Sequence, residues 1–527
     1  MSETGFPAKS LDTSLWQNRK CLLICLYIAM ANLQYGFDSS AVGALQAMPG
    51  FLKVFGYPDP TLPGGYGIDP TFQRLITSLL TLGAFISSLL TGAFSVYFGR
   101  RLGLVIASLL GVVGVIVQIV STTKGVLYFG RLVLGLSNGL LATCSTIYLS
   151  EVAPAHLRGL AVGLFTFWIL MGNVLGTAVD YATLTRLGKS SYQIPLACLF
   201  IIPILLGTGA WFVPESPRYL LYNSKNEAAR KALERLRGSN IPREHIELEW
   251  AEMLRGVHEE NRVHQETKWT DMFRGVDLRR TLLCHGMMAI QTAAGVWLVV
   301  VYQTYFFSIN GVANAFGYSI MNNCLGFAAT MLGLFLLRYV GRRVILLVGT
   351  SVGGLCMLAT AIPWSVSANS STREKVLIGF WAVFYFFYSG SIGTLSYPVA
   401  TEIVSNKLRA WTVGSATSLG FVLAWACSFF TPYFINPTEL NWGAKYDYIW
   451  AGGSFAAFLF VFFFVPELKG RSLEEVDQLF LEKVSVREFP KYHCTILDQA
   501  LHDVQLNTGL FKANIEVAHI DNAHEHI

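Results

Sequence analysis

The segment VYFGRR at residues 96–101 has a second copy, YVGRR at residues 339–343, in a chain of 527 residues. Each copy lies between two long apolar runs. Two further motif pairs recur in the same order, namely EVAPAHLRG at 151–159 with EIVSNKLRA at 402–410, and PESPR at 214–218 with PELKGR at 466–471. This repetition predicts two related halves made of membrane-spanning segments, the layout of proteins with structural repeats around a central site.

The composition is that of a membrane protein. The chain is 53% hydrophobic and 14% charged, whereas soluble domains carry about 25% charged residues. A spanning helix needs about 20 mostly apolar residues, and a soluble fold has no use for twelve such runs. The predicted fold is an all-α membrane protein, with twelve transmembrane helices in two pseudo-symmetric six-helix bundles. The spans are expected near 21–47, 72–98, 102–122, 125–150, 159–182, 194–213, 281–308, 314–337, 344–366, 375–401, 410–434 and 448–465.

The basic residues predict the orientation in the membrane. Most of the 39 Lys and Arg residues lie in the two tails and in alternate loops. The positive-inside rule then places both termini and the long middle loop in the cytoplasm of a multi-pass protein, which we expect in the plasma membrane. The net charge of +5 therefore needs no nucleic-acid partner. The expected parts are a tail at 1–20, a bundle at 21–213, a helical linker at 214–280, a bundle at 281–465 and a tail at 466–527.

The linker contains a charged helical stretch, NEAARKALERLR at 226–237. Opposite charges at helical spacing indicate a helix that lies in solvent or on a surface. The sequence leaves two interpretations open, a latch between the halves or a connecting linker of suitable polarity.

Two ionisable residues fall deep inside predicted spans. Asp38 lies roughly midway along the first span, and Arg131 lies in the fourth. Such residues are costly in a bilayer and are functional candidates by default. Burial favours a protonated Asp38 and a nearby Arg131 favours the carboxylate, so the pair could load and release a proton. The alternative is a static ion pair that holds the first and fourth helices together.

The repeated charged motifs are candidates for a gate. They fall at predicted cytoplasmic helix ends in both halves, where salt bridges could close the inner side in one conformation and break in the other. The candidate gating residues are Gly99, Arg100, Arg101, Glu151, Arg158, Glu215 and Arg218 in the first half, and Gly341, Arg342, Arg343, Glu402, Arg409, Glu467 and Arg471 in the second.

Uncharged polar and aromatic residues inside the spans are candidates for binding a neutral polar solute. Buried amides are the strongest of these, because an amide within a bilayer must find hydrogen-bond partners. An aromatic stripe is more often packing than a binding platform. The candidates are Gln291, Thr292, Trp297, Tyr302, Asn322, Asn323, Thr166, Asn173, Tyr397 and Trp425.

Other kinds of site are not indicated. The nine cysteines show no metal or disulfide spacing, and there is no nucleotide motif, so we expect no metal and no cofactor beyond a coupling proton. No nucleophile and base pattern suggests an enzyme. Asn369 begins the sequon NSS in a predicted outer loop and is a candidate for glycosylation. The expected partners are a small-molecule substrate and the lipid bilayer, and the expected functional unit is a monomer.

Taken together, the motifs GRR, GR in the fourth span, ExxPxxLRG, PESPRYLL and PELKGRSLEE resemble the sugar porter family of the major facilitator superfamily across about residues 20–490. Within it, the stretch FFTPYFINPTELNWGAKYDYIW at 429–450, with YQTYFF at 302–307 and NCLGF at 323–327, looks most like fungal maltose/α-glucoside permeases. The resemblance implies twelve helices, alternating access, and proton symport where the first helix carries an Asp, as at Asp38.

The chain departs from the family pattern at residues that contact sugar in that family. Thr292 stands for a second Gln, Trp297 for an Asn, Thr166 for a Gln, and Tyr397 for a Trp. Several hydrogen bonds to a sugar ring are thereby lost. Three functions stay open: proton-coupled uptake of a sugar, an α-glucoside or a related polyhydroxylated solute; transport or export of a fungal secondary metabolite; and nutrient sensing without transport.

Overall fold

Twelve helices long and apolar enough to cross a membrane make up most of the described chain. The computed structural model describes residues 16–60, 65–154, 157–186, 188–238, 241–243, 245–247, 249–251, 253–254, 257, 268–337, 339–366, 369–405, 408–469, 471 and 473–492. Spans 1 to 12 are, in order, Arg19–Ala29 with Ala31–Leu45, Pro70–Phe98, Arg100–Val120, Lys124–Val152, Arg158–Thr183, Ser190–Cys198 with Ile201–Gly209, Gly275–Ala293 with Val296–Ile309, Ala315–Leu336, Arg342–Ser365, Ser370–Gly390 with Ile392–Ile403, Arg409–Ile435, and Asp447–Phe464. The predicted fold class is confirmed.

The shorter elements mark the two ends of the bundle. A two-stranded antiparallel hairpin pairs Tyr57–Pro58 with Tyr66–Gly67 between spans 1 and 2. We call this side the hairpin end, and the opposite side, which carries both GRR turns, the GRR end. The remaining helices are Pro49–Phe55, Pro217–Tyr222, Asn226–Arg237 and Leu473–Leu481, with 3₁₀ turns at Trp269–Phe273 and Gly443–Tyr446.

Span 7 is interrupted at Gly295, which adopts a left-handed conformation with φ of +90°. A side chain there would be strained, and its Cβ would lie 2.7 Å from the Cβ of Trp450. The interruption redirects the helix immediately before Trp297, one of the predicted substrate-binding residues. Span 7 also begins at Gly275, earlier than the expected residue 281, because Arg280 is buried against the Leu473–Leu481 helix and pairs with Asp477 at 2.6 Å.

Small residues bring spans 1 and 5 into close contact. A Cβ on Gly36 would lie 1.9 Å from the Ile169 carbonyl oxygen, and one on Gly172 would lie 2.3 Å from that of Leu33. Gly172 and Gly176 form the GxxxG spacing that allows helix backbones to approach within a membrane. This contact fixes the rotation of span 1 and turns Asp38 away from span 5.

The two halves meet through three pairs of spans. Span 2 packs on span 11, span 5 on span 8, and the second segment of span 1 on the second segment of span 7. A Cβ on Gly43 would lie 2.2 Å from the Val301 carbonyl oxygen, so spans 1 and 7 also touch backbone to backbone. These contacts surround the region in which the predicted site residues lie.

Candidate transport site and gates

Asp38 and Arg131 form a fully buried ion pair in the first half. Arg131 Nη1 lies 2.6 Å from Asp38 Oδ1, and the two side chains are 2% and 0% exposed. Arg131 Nε also donates to the Ile76 carbonyl oxygen at 2.7 Å. Asp38 Oδ2 has no hydrogen-bond partner among the described residues. The structure therefore brings together the two residues predicted from their depth, with one carboxylate oxygen available to hold a proton.

A narrow cavity connects this ion pair with the other half of the protein. Trp297, from span 7, lies on the cavity together with Arg131, and part of the wall is the Thr77 side chain. The full lining is Ser39, Val42, Gly43, Thr77, Leu80, Thr81, Arg131, Trp297 and Val301. The indole expected to shape the substrate site thus shares a cavity with Arg131, the partner of the group expected to carry the proton.

Buried amides of spans 5, 7 and 8 form a second polar cluster between the halves. Asn323 Nδ2 donates to the Asn173 carbonyl oxygen and to Thr177 Oγ1, both at 3.3 Å. Gln303 Nε2 donates to Asn323 Oδ1 at 3.2 Å, and Asn322 Nδ2 lies 3.4 Å from Gln303 Oε1. Asn322, Asn323 and Asn173, three of the predicted substrate-binding residues, are therefore close together, and Gln303 joins them. Asn322 Oδ1 keeps an unused acceptor within the described part of the chain.

The remaining predicted binding residues are more scattered. Gln291 contributes its carbonyl oxygen to the Tyr388 hydroxyl at 3.0 Å, and Thr292 is buried beside it. Tyr397 is 39% exposed. Trp425 stacks on Phe429 at 5.5 Å, and Thr166 is half-buried on span 5. These side chains are spread over spans 5, 7, 10 and 11.

Tyr302, another predicted binding residue, lies in a contact that closes the hairpin end. Its hydroxyl is 2.6 Å from Thr77 Oγ1 and donates to the Ser428 carbonyl oxygen at 2.6 Å. Asn436 Nδ2 lies 3.3 Å from Gln73 Oε1 and 3.3 Å from the Ile68 carbonyl oxygen. The contacts of Tyr302 with Thr77 and of Asn436 with Gln73 and Ile68 join the first half to the second, so in this conformation the hydroxyl of Tyr302 is engaged in closure.

Arg74 adds a charged contact at the same end. Arg74 Nη2 lies 3.3 Å from Glu439 Oε1, with the side chains 21% and 30% exposed. The guanidinium also lies 5.9 Å from the ring centre of Phe429 and 5.8 Å from that of Tyr433. Cation–π contacts of this kind stabilise by about 0.5–1 kcal/mol at exposed sites. The Arg74–Glu439 ion pair could not be predicted from the sequence, because the two residues are separated by most of the chain.

We expect Arg74→Ala to shift the protein toward the state that is open at the hairpin end. The ion pair is partly exposed and contributes about 0.2–1 kcal/mol, so the population ratio should change severalfold. A distance measured between spin labels on spans 2 and 11 would report the shift. The double reversal Arg74→Glu with Glu439→Arg should restore the wild-type distribution; an unchanged distribution in Arg74→Ala would contradict the assignment.

The GRR turn of the first half is held by two glutamates. Glu215 accepts from the backbone N–H groups of Arg100 and Arg101 at 3.2 Å, at the start of span 3. A carboxylate is favourable there because the unpaired N–H groups carry partial positive charge. Burial raises the pKa of Glu215, and the backbone donors oppose that rise. A Cβ on Gly99, which has φ of +82°, would lie 2.6 Å from Glu215 Oε2, which explains the glycine.

Glu151 completes this first clamp. Arg100 Nη2 lies 2.7 Å from Glu151 Oε1, and both side chains are close to 10% exposed, at 10% and 11%. Ser216 Oγ donates to the other carboxylate oxygen, and Arg101 Nη2 donates to the Trp211 carbonyl oxygen at 2.8 Å. Span 3, span 4 and the segment after span 6 are therefore joined at one point.

The second half repeats the clamp but lacks a hydroxyl contact equivalent to that of Ser216 with Glu151. Glu467 accepts from the backbone N–H groups of Arg342 at 2.9 Å and Arg343 at 3.1 Å, and a Cβ on Gly341 would lie 2.1 Å from it. Arg342 Nη2 lies 3.2 Å from Glu402 Oε1, with side chains 25% and 28% exposed. Leu468 stands where the first half has Ser216, and Glu402 Oε2 has no hydrogen-bond partner in the described chain.

These contacts correct part of the gate prediction. Each clamp lies within one half, and Glu151 pairs with Arg100 across two helices, although the motif grouped it with Arg158. The side chain of Arg158 lies outside the described residues. Arg471, another candidate gating residue, contacts Glu475 at 3.0 Å and the Tyr492 carbonyl oxygen at 2.6 Å, among other groups, and so also binds the segment after the last helix. The two other candidate gating arginines, Arg218 and Arg409, both interact with other groups of the protein. Arg409 Nη2 lies 3.5 Å from the Val404 carbonyl oxygen.

We expect Arg100→Ala to slow transport more than Arg342→Ala, with little change in substrate affinity for either. The Arg100 substitution leaves a more deeply buried carboxylate without its cation, a loss of about 1–3 kcal/mol. Transport rates and equilibrium binding should be measured separately on protein with normal membrane insertion. Equal losses of binding and transport would contradict a role in conformational change.

The linker is fastened to the first half through Arg237, which is 3% exposed. Its guanidinium lies 2.7 Å and 2.5 Å from the two carboxylate oxygens of Glu249 and donates to the Val152 carbonyl oxygen, at the end of span 4, at 3.1 Å. Burial disfavours the charged guanidinium and would lower the pKa of Arg237. The hydrogen bond and the charge of Glu249, with a contribution from Cys21, raise this pKa above its usual value. The predicted helix over 226–237 is present and is docked on the bundle.

Two buried acids were missed by the sequence analysis. Asp180, near the hairpin end of span 5, is 0% exposed, and both its carboxylate oxygens are without a hydrogen-bond partner among the residues described. Asp447 opens span 12 and accepts from Thr360 Oγ1 at 2.5 Å and Trp381 Nε1 at 3.0 Å. A count of acids within every predicted span would have found Asp180.

The predicted glycosylation residue is accessible. Asn369 lies directly before the Ser370–Gly390 helix and is exposed, between spans 9 and 10 at the hairpin end. Within the described residues, no group of three or more His, Cys, Asp or Glu side chains is placed so that it could hold a metal ion.

Comparison with known proteins identifies the class. Residues 24–480 match the family model described as sugar (and other) transporter. The chain therefore belongs to this family, the sugar porters of the major facilitator superfamily, and the family inferred from the motifs is confirmed.

Several fungal relatives are similar over most of their length. The major facilitator-type transporter ecdD of Aspergillus rugulosus is 31% identical over 487 residues, 89% of each chain. The probable glucose transporter rco-3 of Neurospora crassa is 30% identical, over 89% of this chain and 80% of its own. Hexose transporter 2 of Kluyveromyces lactis is 28% identical, over 88% and 83%. These relatives are not named for maltose or α-glucosides, so they support the family and not the narrower resemblance.

Solved structures support the fold. The inward-open xylose transporter XylE from E. coli superposes with a TM-score of 0.69 at 20% identity, over 87% of this chain and 99% of that chain. The proton:xylose symporter XylE bound to 6-bromo-6-deoxy-D-glucose gives 0.68 at 21% identity, over 88% and 99%.

Proposed function

We propose that this protein is a proton-coupled transporter that takes up a sugar or a related polyhydroxylated solute by alternating access. The observation that carries the proposal is the buried Asp38–Arg131 pair, whose Arg131 borders a cavity shared with Trp297 of the opposite half. A group that can bind a proton next to the interface between the halves is what coupling requires, because its environment changes when the halves move.

The coupling mechanism follows from the two surroundings of Asp38. Arg131 stabilises the carboxylate, while burial favours the protonated acid. When the halves separate on one side, water reaches the pair and the proton leaves; when that side closes, burial returns. Coupling arises if the closed, substrate-loaded state is accessible only with Asp38 protonated. No cofactor beyond the proton is needed for this cycle.

We further propose that the GRR end faces the cytoplasm, with both termini, and that the protein acts as a monomer in the plasma membrane. The excess of Lys and Arg in the tails and alternate loops supports that orientation. The hydrogen bonds of Tyr302 and Asn436 close the hairpin end, so with this orientation the protein is closed toward the outside in this conformation. Asn369 would then lie outside the cell, where glycosylation can occur.

The substrate class is supported by family membership and by relatives named for glucose and hexoses. A maltose or α-glucoside substrate is supported by the resemblance of residues 429–450 to fungal maltose/α-glucoside permeases. A second candidate is a fungal secondary metabolite moved in or out. It is favoured by Trp297, whose indole replaces a side-chain amide and offers one donor and a large apolar face.

The direct test is transport by the purified protein in liposomes that contain a pH-sensitive dye. Labelled D-glucose, D-xylose, maltose and a methyl α-glucoside should be offered with and without an inward proton gradient. We expect at least one of them to accumulate with the gradient and to carry protons into the vesicle. If none moves, the metabolite alternative is favoured; if one moves without protons, coupling is wrong.

A further inference from the structure

Two amide side chains inside the first half have no described partner for any of their polar atoms. Gln34 on span 1 is 0% exposed and Asn138 on span 4 is 2% exposed. Both the nitrogen and the oxygen of each amide are without a hydrogen bond to a residue in the described part of the chain. Neither residue has a role in the site or the clamps. A buried polar group without a partner is unfavourable, and natural proteins normally satisfy such groups with protein or ordered water.

Their positions place them between the same two helices as the ion pair. Arg131, Asn138 and Ser145 are seven residues apart on span 4, which puts them on one face of the helix. Arg131 bonds Asp38 at 2.6 Å, and Ser145 Oγ accepts from Asn32 Nδ2 at 3.2 Å. Both partners are on span 1, so Asn138 lies on the face of span 4 that meets span 1.

Gln34 lies on the face of span 1 that carries Asp38, four residues away. Its Nε2 atom lies 3.3 Å from the position that a Cβ on Gly111 of span 3 would occupy, and the Ser137 hydroxyl of span 4 lies 2.8 Å from the same position, so the Gln34 amide reaches the region where spans 3 and 4 meet. Asn32 supplies a further unpartnered acceptor, Oδ1, among the described residues. Two helices in contact therefore carry unsatisfied polar atoms on the GRR side of the ion pair: Asp38 Oδ2, Gln34 and Asn32 Oδ1 on span 1, and Asn138 on span 4. We call this set of polar groups the seam.

The seam leads from the ion pair toward the GRR end. Ser145 is fully buried, and the next residue, Thr146, is half-buried, as are Ile147 and Ser150 further along span 4. The cavity lined by Trp297 takes Ser39, Val42 and Gly43 from span 1, which follow Asp38 toward the hairpin end, whereas the seam residues of span 1 precede Asp38. Asp38 thus stands between the cavity shared with the opposite half and a polar seam within its own half.

We propose that buried water molecules bridge these amides and form a proton path from Asp38 to the GRR end, separate from the route of the substrate. The amides orient the waters, and the proton leaves Asp38 Oδ2 for the first water while the last water releases one to the solvent. Apart from Arg131, the Tyr35 hydroxyl is the titratable group that interacts with Asp38 among described residues. This inference rests on the proposed role of Asp38 in coupling.

The test compares Gln34→Leu, Asn138→Leu and the double variant with wild type and with Gln118→Leu. Gln118 is a matched control: it is a fully buried amide in the same half, but its Nε2 donates to the Gly130 carbonyl oxygen, away from the seam. Infrared difference spectra after a pH jump report protonation of carboxyl groups in full-length protein in lipid. The Asp38 band is the one lost in Asp38→Asn. No substrate is needed for this measurement.

In the double variant, we expect the rate at which Asp38 gains or loses its proton to fall by about tenfold or more. In Gln118→Leu, this rate should equal that of wild type. Counterflow requires no net proton movement, so counterflow of the labelled solute that wild-type protein transports in the liposome assay should be retained in all of them. A wild-type rate in the double variant would overturn the proton path alone. If the Asp38 band of wild type does not respond to pH at all, the proposed coupling fails, and the path fails with it.

Discussion

Asp38→Asn is expected to abolish accumulation of substrate against a gradient while leaving exchange of substrate across the membrane. The amide preserves the shape of the side chain and can accept a hydrogen bond from Arg131, but it cannot bind or release a proton. The ratio of substrate inside the vesicle to substrate outside should fall to one, so that no accumulation remains. The rate of counterflow should stay within about tenfold of wild type. Uptake and counterflow in the same liposomes give both numbers.

A matched control is available in the same half. Asp180→Asn removes another fully buried acid, one that is not paired with a cation among the described residues, and it should leave accumulation intact. If Asp38→Asn still concentrates substrate in a pH-dependent manner, the coupling role of Asp38 is wrong. An equal loss in both variants would point to a general effect of removing buried acids.

Trp297→Asn, alone or with Thr292→Gln, is expected to shift preference toward simple sugars. The indole offers one donor and no acceptor, so several hydroxyls of a bound hexose would lack partners, each at a cost of about 1–3 kcal/mol. An amide can restore two such bonds, which corresponds to roughly a tenfold or greater gain in affinity for glucose. Competition among labelled hexoses and disaccharides would measure the change.

Trp297→Phe keeps an aromatic face and offers no hydrogen bond, so it should retain the wild-type preference. Trp297 also lies on the cavity beside Arg131, and changes at this position are therefore expected to alter the strength of coupling as well as the choice of substrate. Efficient transport of glucose or maltose by the wild-type protein would contradict this account of Trp297.

The architecture could be predicted from the sequence because membrane insertion imposes simple rules. Runs of about 20 apolar residues must be helices, and repeated motifs give the pseudo-symmetry. Asp38 and Arg131 were recognisable because a charge in a span is rare. The pairing of Glu151 with Arg100 was not recognisable, since a motif shows which residues recur but not which of them touch.

Other parts of the site depend on three-dimensional packing that local patterns do not contain. The closure by Arg74 and Glu439 joins residues from opposite halves, and the burial of Arg280 depends on the Leu473–Leu481 helix that docks after span 12. Gln34 and Asn138 look like ordinary polar residues of amphipathic helices. Only their complete burial, next to an ion pair, distinguishes them.

The two clamps differ by one hydroxyl, and this has a mechanical consequence. The Ser216 hydroxyl donates a hydrogen bond to Glu151 and so links span 4 to the segment after span 6. Leu468, at the equivalent position, has no hydroxyl, and the corresponding oxygen of Glu402 has no hydrogen-bond partner among the described residues. Under a load applied through the tails, the second half should yield at a lower force than the first. Pulling single molecules out of a bilayer would reveal two unequal force peaks, and Ser216→Leu should make them similar.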